Sequence, residues 1–177
     1  MKNKLFIFVV FAALTASIYG QSKFSAGVVV SRFENLNDNS TKMSLISHPL
    51  GYGVIGGYNI NNDITLALTI EYFKGDIDGI DGKETDYRGH FSAYYHPLTF
   101  AGFKPYLSAG LVVAYRTFDY TVAVSNSDSK TNIYGRFGCG IDYPIIPLLS
   151  MNVDCGFYND GTTITGWSGS LGVRFSL

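Results

Sequence analysis

The sequence predicts an all-β protein, an eight-stranded antiparallel up-and-down transmembrane β-barrel, and three observations lead there. Eight segments alternate strictly between apolar and polar residues, at about the ten-residue length of a tilted membrane-spanning strand. The connections between them alternate in turn between long polar excursions and tighter turns. Finally, 20 Gly, 13 Tyr and 13 Phe against five Pro is the composition of a strand-rich, tightly turned chain, and long helical periodicity is absent.

Before the strands, residues 1–20 read as a secretory signal peptide. Lys2 and Lys4 make a basic opening, Leu5 to Leu14 are ten consecutive apolar residues, and small, turn-forming residues follow. Cleavage is expected near Gly20, with Ser17 as a competitor, and no Cys follows the run to suggest lipoprotein processing. Ten apolar residues fall short of the roughly 20 that a helix needs to span a bilayer. Residues 21–177 then form a single domain with 11 Lys plus Arg (13 less the two in the leader) against 14 acids. That net charge of about −3 is too mild to suggest a nucleic-acid partner.

The first strand, Ser22 to Arg32, puts Phe24, Ala26, Val28 and Val30 on one face, and the second, Leu50 to Ile60, does so with Leu50, Tyr52, Val54, Tyr58 and Ile60. Ile64 to Phe73 sets Ile64, Leu66, Leu68, Ile70 and Tyr72 against Thr65, Ala67, Thr69, Glu71 and Phe73. Tyr87 to Tyr95, Leu107 to Tyr115, Ile133 to Ile141 and Leu149 to Phe157 repeat the pattern. The eighth strand runs to the carboxyl terminus, with Trp167, Leu171, Val173, Phe175 and Leu177 on one face. Long polar connections follow strands one, three, five and seven, at roughly 33–48, 74–86, 117–130 and 158–165. Tighter ones fall at 61–63, 96–105 and 142–148, so both termini belong to the tight-turn end.

In water the apolar face would need a partner layer; in lipid it needs none, provided the sheet closes so that every backbone donor is paired. Aromatic girdles at both interfaces are then expected. Tyr52, Tyr72, Tyr87, Tyr115, Phe157 and Trp167 fall at the long-loop end, and Phe24, Tyr58, Tyr95 and Phe175 at the turn end. Eight residues from Tyr87 to Tyr95, or from Trp167 to Phe175, span about 19 Å of height at a 45° tilt, close to a thin outer-membrane hydrocarbon layer. A soluble lipocalin-like barrel would reverse the faces, expose the inward Arg set and carry an early Gly-x-Trp signature, which this sequence lacks.

The leader, the eight alternating strands, the unequal loops and the final GVRFSL resemble the small outer-membrane barrels of the OmpX group and the transmembrane domain of OmpA. The resemblance covers essentially the whole mature chain. It implies a monomer in the bacterial outer membrane, with long loops outside the cell. The implied partners are outer-membrane lipid and lipopolysaccharide, the barrel-insertion machinery during biogenesis, and a host or surface ligand held by the loops. The last strand resembles the assembly signal of such proteins, with Leu177 in place of the usual terminal Phe. The function implied is structural or adhesin-like, with a narrow solute channel and a lipid A-modifying enzyme as alternatives.

The inward parity carries Glu71, Arg88, His90, Arg116, Arg136, Asp154 and Arg174, with Tyr94, Tyr106, Tyr134 and Tyr158 among small polar residues. A hairpin symmetric about residues 79 and 80 sets Glu71 opposite Arg88. Since an eight-stranded barrel has room only for side chains, a plugged core is expected; the sharper alternative is a narrow path lined by four Arg. His90 and Ser92 are the only catalytic candidates. Their His-x-Ser arrangement is similar to that of outer-membrane lipid A deacylases, but both are expected to face the lumen with no carboxylate beside the His. His48, His90 and His96 do not cluster, so no metal is expected, and no cofactor. In the loop at 75–86, Asp76, Asp78, Asp81 and Glu84 do not match the EF-hand spacing, and a solvated outer loop is expected. Folding the sixth and seventh strands about residue 147 sets Cys139 opposite Cys155 on the outward face, a candidate cross-strand disulfide.

Overall fold

The computed structural model describes residues 23–36, 46, 49–77, 81–120 and 128–177. The expected signal peptide, His48 and Asp78 lie outside the described residues. Eight strands follow one another: β1 Phe24–Asn35, β2 Leu50–Asn59, β3 Ile64–Asp76, β4 Gly82–Tyr95, β5 Lys104–Tyr120, β6 Asp128–Ile146, β7 Leu149–Asn159 and β8 Ile164–Ser176. Each pairs antiparallel with its sequence neighbours, and β1 pairs with β8 to close the barrel.

The register fixes the shape. From Phe24 it leads through Tyr58, Leu66, Ala93, Ala109, Phe137, Phe157 and Trp167 back to Glu34 on β1, a displacement of 34 less 24, or ten residues. Eight strands with a shear of ten tilt by about 41° and enclose a barrel of about 8 Å radius.

The faces are sorted as lipid requires. Val28, Val54, Leu68, Ile70, Phe91, Leu111, Val153 and Leu171 stand on the outside, exposed, while Arg, Glu, Asp and His side chains are buried within. Water would favour the reverse, so the exterior belt is suited to a hydrocarbon solvent. Its upper edge is a continuous aromatic row, because Tyr52, Tyr72, Tyr87 and Tyr115 are directly paired across β2 to β5. The ring centroids of Tyr72 and Tyr87 lie 5.2 Å apart. Phe137, Phe157 and Trp167 form a second register-paired row across β6 to β8, which starts opposite Ala109 rather than Tyr115. At the other edge Phe24 packs on Tyr58 at 5.0 Å, with Tyr95 and Phe175 further round.

The strands are longer than the alternation alone suggests. β3 and β4 run on to Asp76 and back from Gly82, so much of the expected solvated loop at 75–86 is sheet, and Glu84 within it is fully buried. The cause is visible in its partners: Glu84 and Asp86 continue the inward parity and meet cationic side chains there, so polar residues are core rather than loop. β5 and β6 likewise extend to Tyr120 and from Asp128.

Leu171 is exposed and lies four residues from both Trp167 and Phe175, at mid-belt. Leu171→Arg is expected to destabilise the barrel by about 2–4 kcal/mol, read as a lowered urea midpoint in lipid vesicles.

Candidate functional site

The lumen is built in layers, each assembled from inward residues of several strands. Among the described residues five buried carboxylates (Glu71, Glu84, Asp86, Asp142 and Asp154) face four buried Arg (Arg88, Arg116, Arg136 and Arg174) and two His (His90 and His96). Charge is therefore nearly balanced without solvent, which is what keeps so polar an interior tolerable.

At the long-loop end Arg116 Nη1 lies 4.0 Å from Glu84 Oε1. Below it Arg88, wholly buried, donates from Nε to Asp86 Oδ2 at 2.8 Å, with Nη2 at 2.7 Å from the same oxygen. Its guanidinium lies between two rings, 4.1 Å from the centroid of Phe33 and 4.4 Å from that of Phe73, and so satisfies its charge partly by cation–π contact. Glycine makes room for those rings: a Cβ at Gly51 would lie 2.4 Å from the Phe73 ring, and one at Gly166 2.4 Å from that of Phe33. Glu71 and Arg88 are directly opposite, as the hairpin symmetry requires, yet Arg88 is spent on Asp86. Glu71 instead takes His90, Nε2 to Oε2 at 2.7 Å, and accepts a hydrogen bond from Ser31 Oγ. The expectation that no carboxylate accompanies His90 is thus corrected. His90 pairs with Thr69 in register, so Glu71 reaches it along the diagonal rather than straight across.

The next layer joins Arg136 Nη2 to Asp154 Oδ1, with Arg136 Nη1 donating to Ser108 Oγ at 3.2 Å. Here too glycine is required, since a Cβ at Gly156 would fall 2.4 Å from the Arg136 guanidinium. Tyr106 links this layer to the one below: its hydroxyl donates to Asp154 Oδ2 at 3.0 Å and accepts from Asn152 Nδ2 at 2.6 Å. Asn152 also donates to Asp142 Oδ1 at 3.0 Å, and Arg174 Nη2 donates to the same oxygen. His96, its ring 5.4 Å from that of Tyr106, completes the turn-end layer 3.9 Å from Asp142 Oδ2. Tyr94 stacks on Tyr106 at 4.7 Å, and Tyr158 shares a 2.9 Å hydrogen bond with Ser168.

Between these layers lies a cavity of about 20 Å³, lined by Glu71, His90, Ser92, Arg136, Asp154 and Tyr158 among others. That is room for about one water. His90 and Ser92 are 7% and 3% exposed and sit inside the wall, so neither reaches the lipid side. Glu84, Asp86, Asp142 and Asn152 are lumenal partners that the sequence reading does not select. Asp86 could have been found from its position two residues before Arg88 on the same inward parity.

On the outer face Cys139 and Cys155 are direct register partners, as the hairpin arithmetic expects, but both thiols are free and the candidate bridge is not formed. Directly opposed Cβ atoms stand about 4.5–5.5 Å apart, beyond the roughly 3.8 Å of a relaxed disulfide. At the long-loop end, Asp160 accepts from the Thr163 and Thr162 N–H groups, each at 2.9 Å. These donors, Thr163 first, hold its carboxyl below the usual carboxylate range and close the β7–β8 turn.

Two outcomes test this geometry. Asp154→Ala leaves Arg136 without its carboxylate and is expected to cost about 3–5 kcal/mol of stability in a vesicle unfolding titration. The unfolded protein is expected to bind two equivalents of an alkylating reagent and to migrate identically with and without reductant.

Comparison with known proteins agrees with the architecture. No curated protein matches the chain. Among solved structures, Neisserial surface protein A is 21% identical with a TM-score of 0.68, over 90% of this chain and 100% of that one. The N-terminal β-barrel domain of Pseudomonas aeruginosa OprF is 19% identical, TM-score 0.61, over 88% and 98%. Ail, the attachment invasion locus protein of Yersinia pestis, is 18% identical, TM-score 0.55, over 87% and 97%. These likenesses show a shared fold. Residues 5–176 match the outer membrane protein beta-barrel domain, and the chain belongs to that family of bacterial outer-membrane barrels.

Proposed function

We propose that this protein is a surface-interaction protein of the outer membrane, adhesin-like, whose barrel is a plugged support and whose long loops make the contacts. The observation that carries this reading is the set of buried charge pairs in the lumen. Five layers of ion pairs and hydrogen bonds, from Glu84 and Arg116 down to Arg174 and Asp142, cross an interior of about 8 Å radius. A solute would have to part buried charge pairs, each costly to break, at every level. The interior burial of His90 and Ser92 also keeps them from any lipid substrate, which supports a non-enzymatic role.

The long-loop end supports the same reading. Gly82 is five residues beyond Tyr87 on β4, so at the barrel's tilt the sheet rises about 12 Å past the aromatic row. The ends of β3 to β6 are thereby carried past the aromatic row, where a ligand or lipopolysaccharide could be met. Ail, an attachment protein by its name and solved also with the heparin analogue sucrose octasulfate, is built on the same fold. The alternation of the closing strand β8, with Phe175 on its outward face, fits recognition by the insertion machinery, and a single closed barrel fits a monomer.

The test is conductance of the refolded protein in a planar bilayer, with a heat-shifted gel band as proof of folding. Silence from folded protein is expected. Steady openings that diminish in Arg116→Ala or Arg136→Ala would make the lumen a channel and overturn this reading.

A further inference from the structure

The apolar surface does not stop at the lower aromatic row. On one side of the barrel it continues to the β4–β5 and β6–β7 turns, where Leu98, Phe100 and Phe103 between β4 and β5 and Tyr143, Ile145 and Ile146 at the end of β6 are all exposed. Phe100 is the most exposed large apolar side chain among the described residues, at 73%. The two turns form one surface, because the Phe103 and Tyr143 ring centroids lie 4.8 Å apart and Phe100 and Phe103 exchange backbone hydrogen bonds at 2.9 and 2.8 Å. By contrast the β2–β3 turn, on another side, is Asn61, Asn62 and Asp63, all exposed, with the Asn61 side chain accepting from the Asp63 and Ile64 N–H groups.

We propose that this lip is covered by the acyl chains of the membrane leaflet at the turn end, so that the barrel is seated deeper on its β5–β6 side than at the β2–β3 turn. Continuity with the lipid belt selects that occupant. On β6 the outward row runs Phe137, Cys139, Ile141, Tyr143, Ile145 without a polar interruption, and on β5 it runs Leu107, Pro105, Phe103. Tyr143 stands at the level of the lower aromatic row, next to Met151 in register, and Ile145 lies about 5 Å beyond it at the barrel's tilt. A contiguous apolar patch of this kind in water would be an association surface; adjoining hydrocarbon, it is met by inclining the barrel or thickening the leaflet locally.

The chain has a single Trp, so depth can be read optically. Phe100→Trp and Ile146→Trp, each in a Trp167→Phe background and compared with Asn62→Trp, would be refolded into phosphatidylcholine vesicles containing acyl-brominated lipid. A heat-shifted gel band selects folded protein, and Trp167→Tyr serves as background if Trp167→Phe does not fold. The expected result is blue-shifted emission at positions 100 and 146, with stronger bromolipid quenching and weaker acrylamide quenching than at position 62. Acrylamide quenching at 100 and 146 equal to that at 62, without bromolipid quenching, would place the lip in water and overturn the proposal. Protection from both quenchers that grows with the protein-to-lipid ratio would make the occupant a second copy of the chain, and would equally overturn it.

Discussion

Everything in this molecule depends on the pairing of β1 with β8. Eleven residue pairs, from Ser25 with Ser176 to Asn35 with Gly166, close the sheet on itself. Without that seam two strand edges would present unpaired N–H and C=O groups to hydrocarbon, which offers no substitute partner. Closure with a shear of ten also sets the radius, and the radius sets how many side chains the interior must hold. An interior just wide enough for side chains is thus a geometric consequence of eight strands, and the chemistry inside is what remains to be chosen by sequence.

That choice is charge. An apolar interior would fill the same space, and a buried ion pair seldom adds stability over well-packed hydrocarbon. Here, however, hydrocarbon lies outside the barrel as well, so apolar side chains on both faces would leave the two faces of each strand indistinguishable. Arg136 with Asp154 and Arg174 with Asp142 make them distinct: slipping β6 or β8 by one residue would turn a guanidinium toward lipid. The interior charges therefore specify register at the same time as they fill space.

This logic explains what was legible in the sequence and what was not. The strand alternation, the order of long and short connections and the inward set from Glu71 to Arg174 could be read because period two is imposed by the pleat alone. Partner identity could not. Glu71 and Arg88 are opposite in register, yet twist and side-chain length let Glu71 choose His90 diagonally and Arg88 choose Asp86 two residues along its own strand. Glu84 and Asp86 were concealed for a second reason. Beyond the belt both faces of a strand are polar, so a strand continuing out of the membrane has the composition of a loop. The free Cys139 and Cys155 make the same point, since register brings residues opposite without bringing their Sγ atoms to bonding geometry.

The two ends of the barrel resolve this composition differently, and the difference bears on function. At the long-loop end, Phe33, Phe73 and the buried Arg88 cap the lumen beneath a sheet that still extends upward through β3 to β6. That sheet has Glu84 and Arg116 inside it, so its rigidity comes from paired charge and backbone ladders rather than from lipid. At the turn end the chain places apolar side chains on one side and Asn and Asp on another, so among the described residues no comparable extension of the sheet projects there.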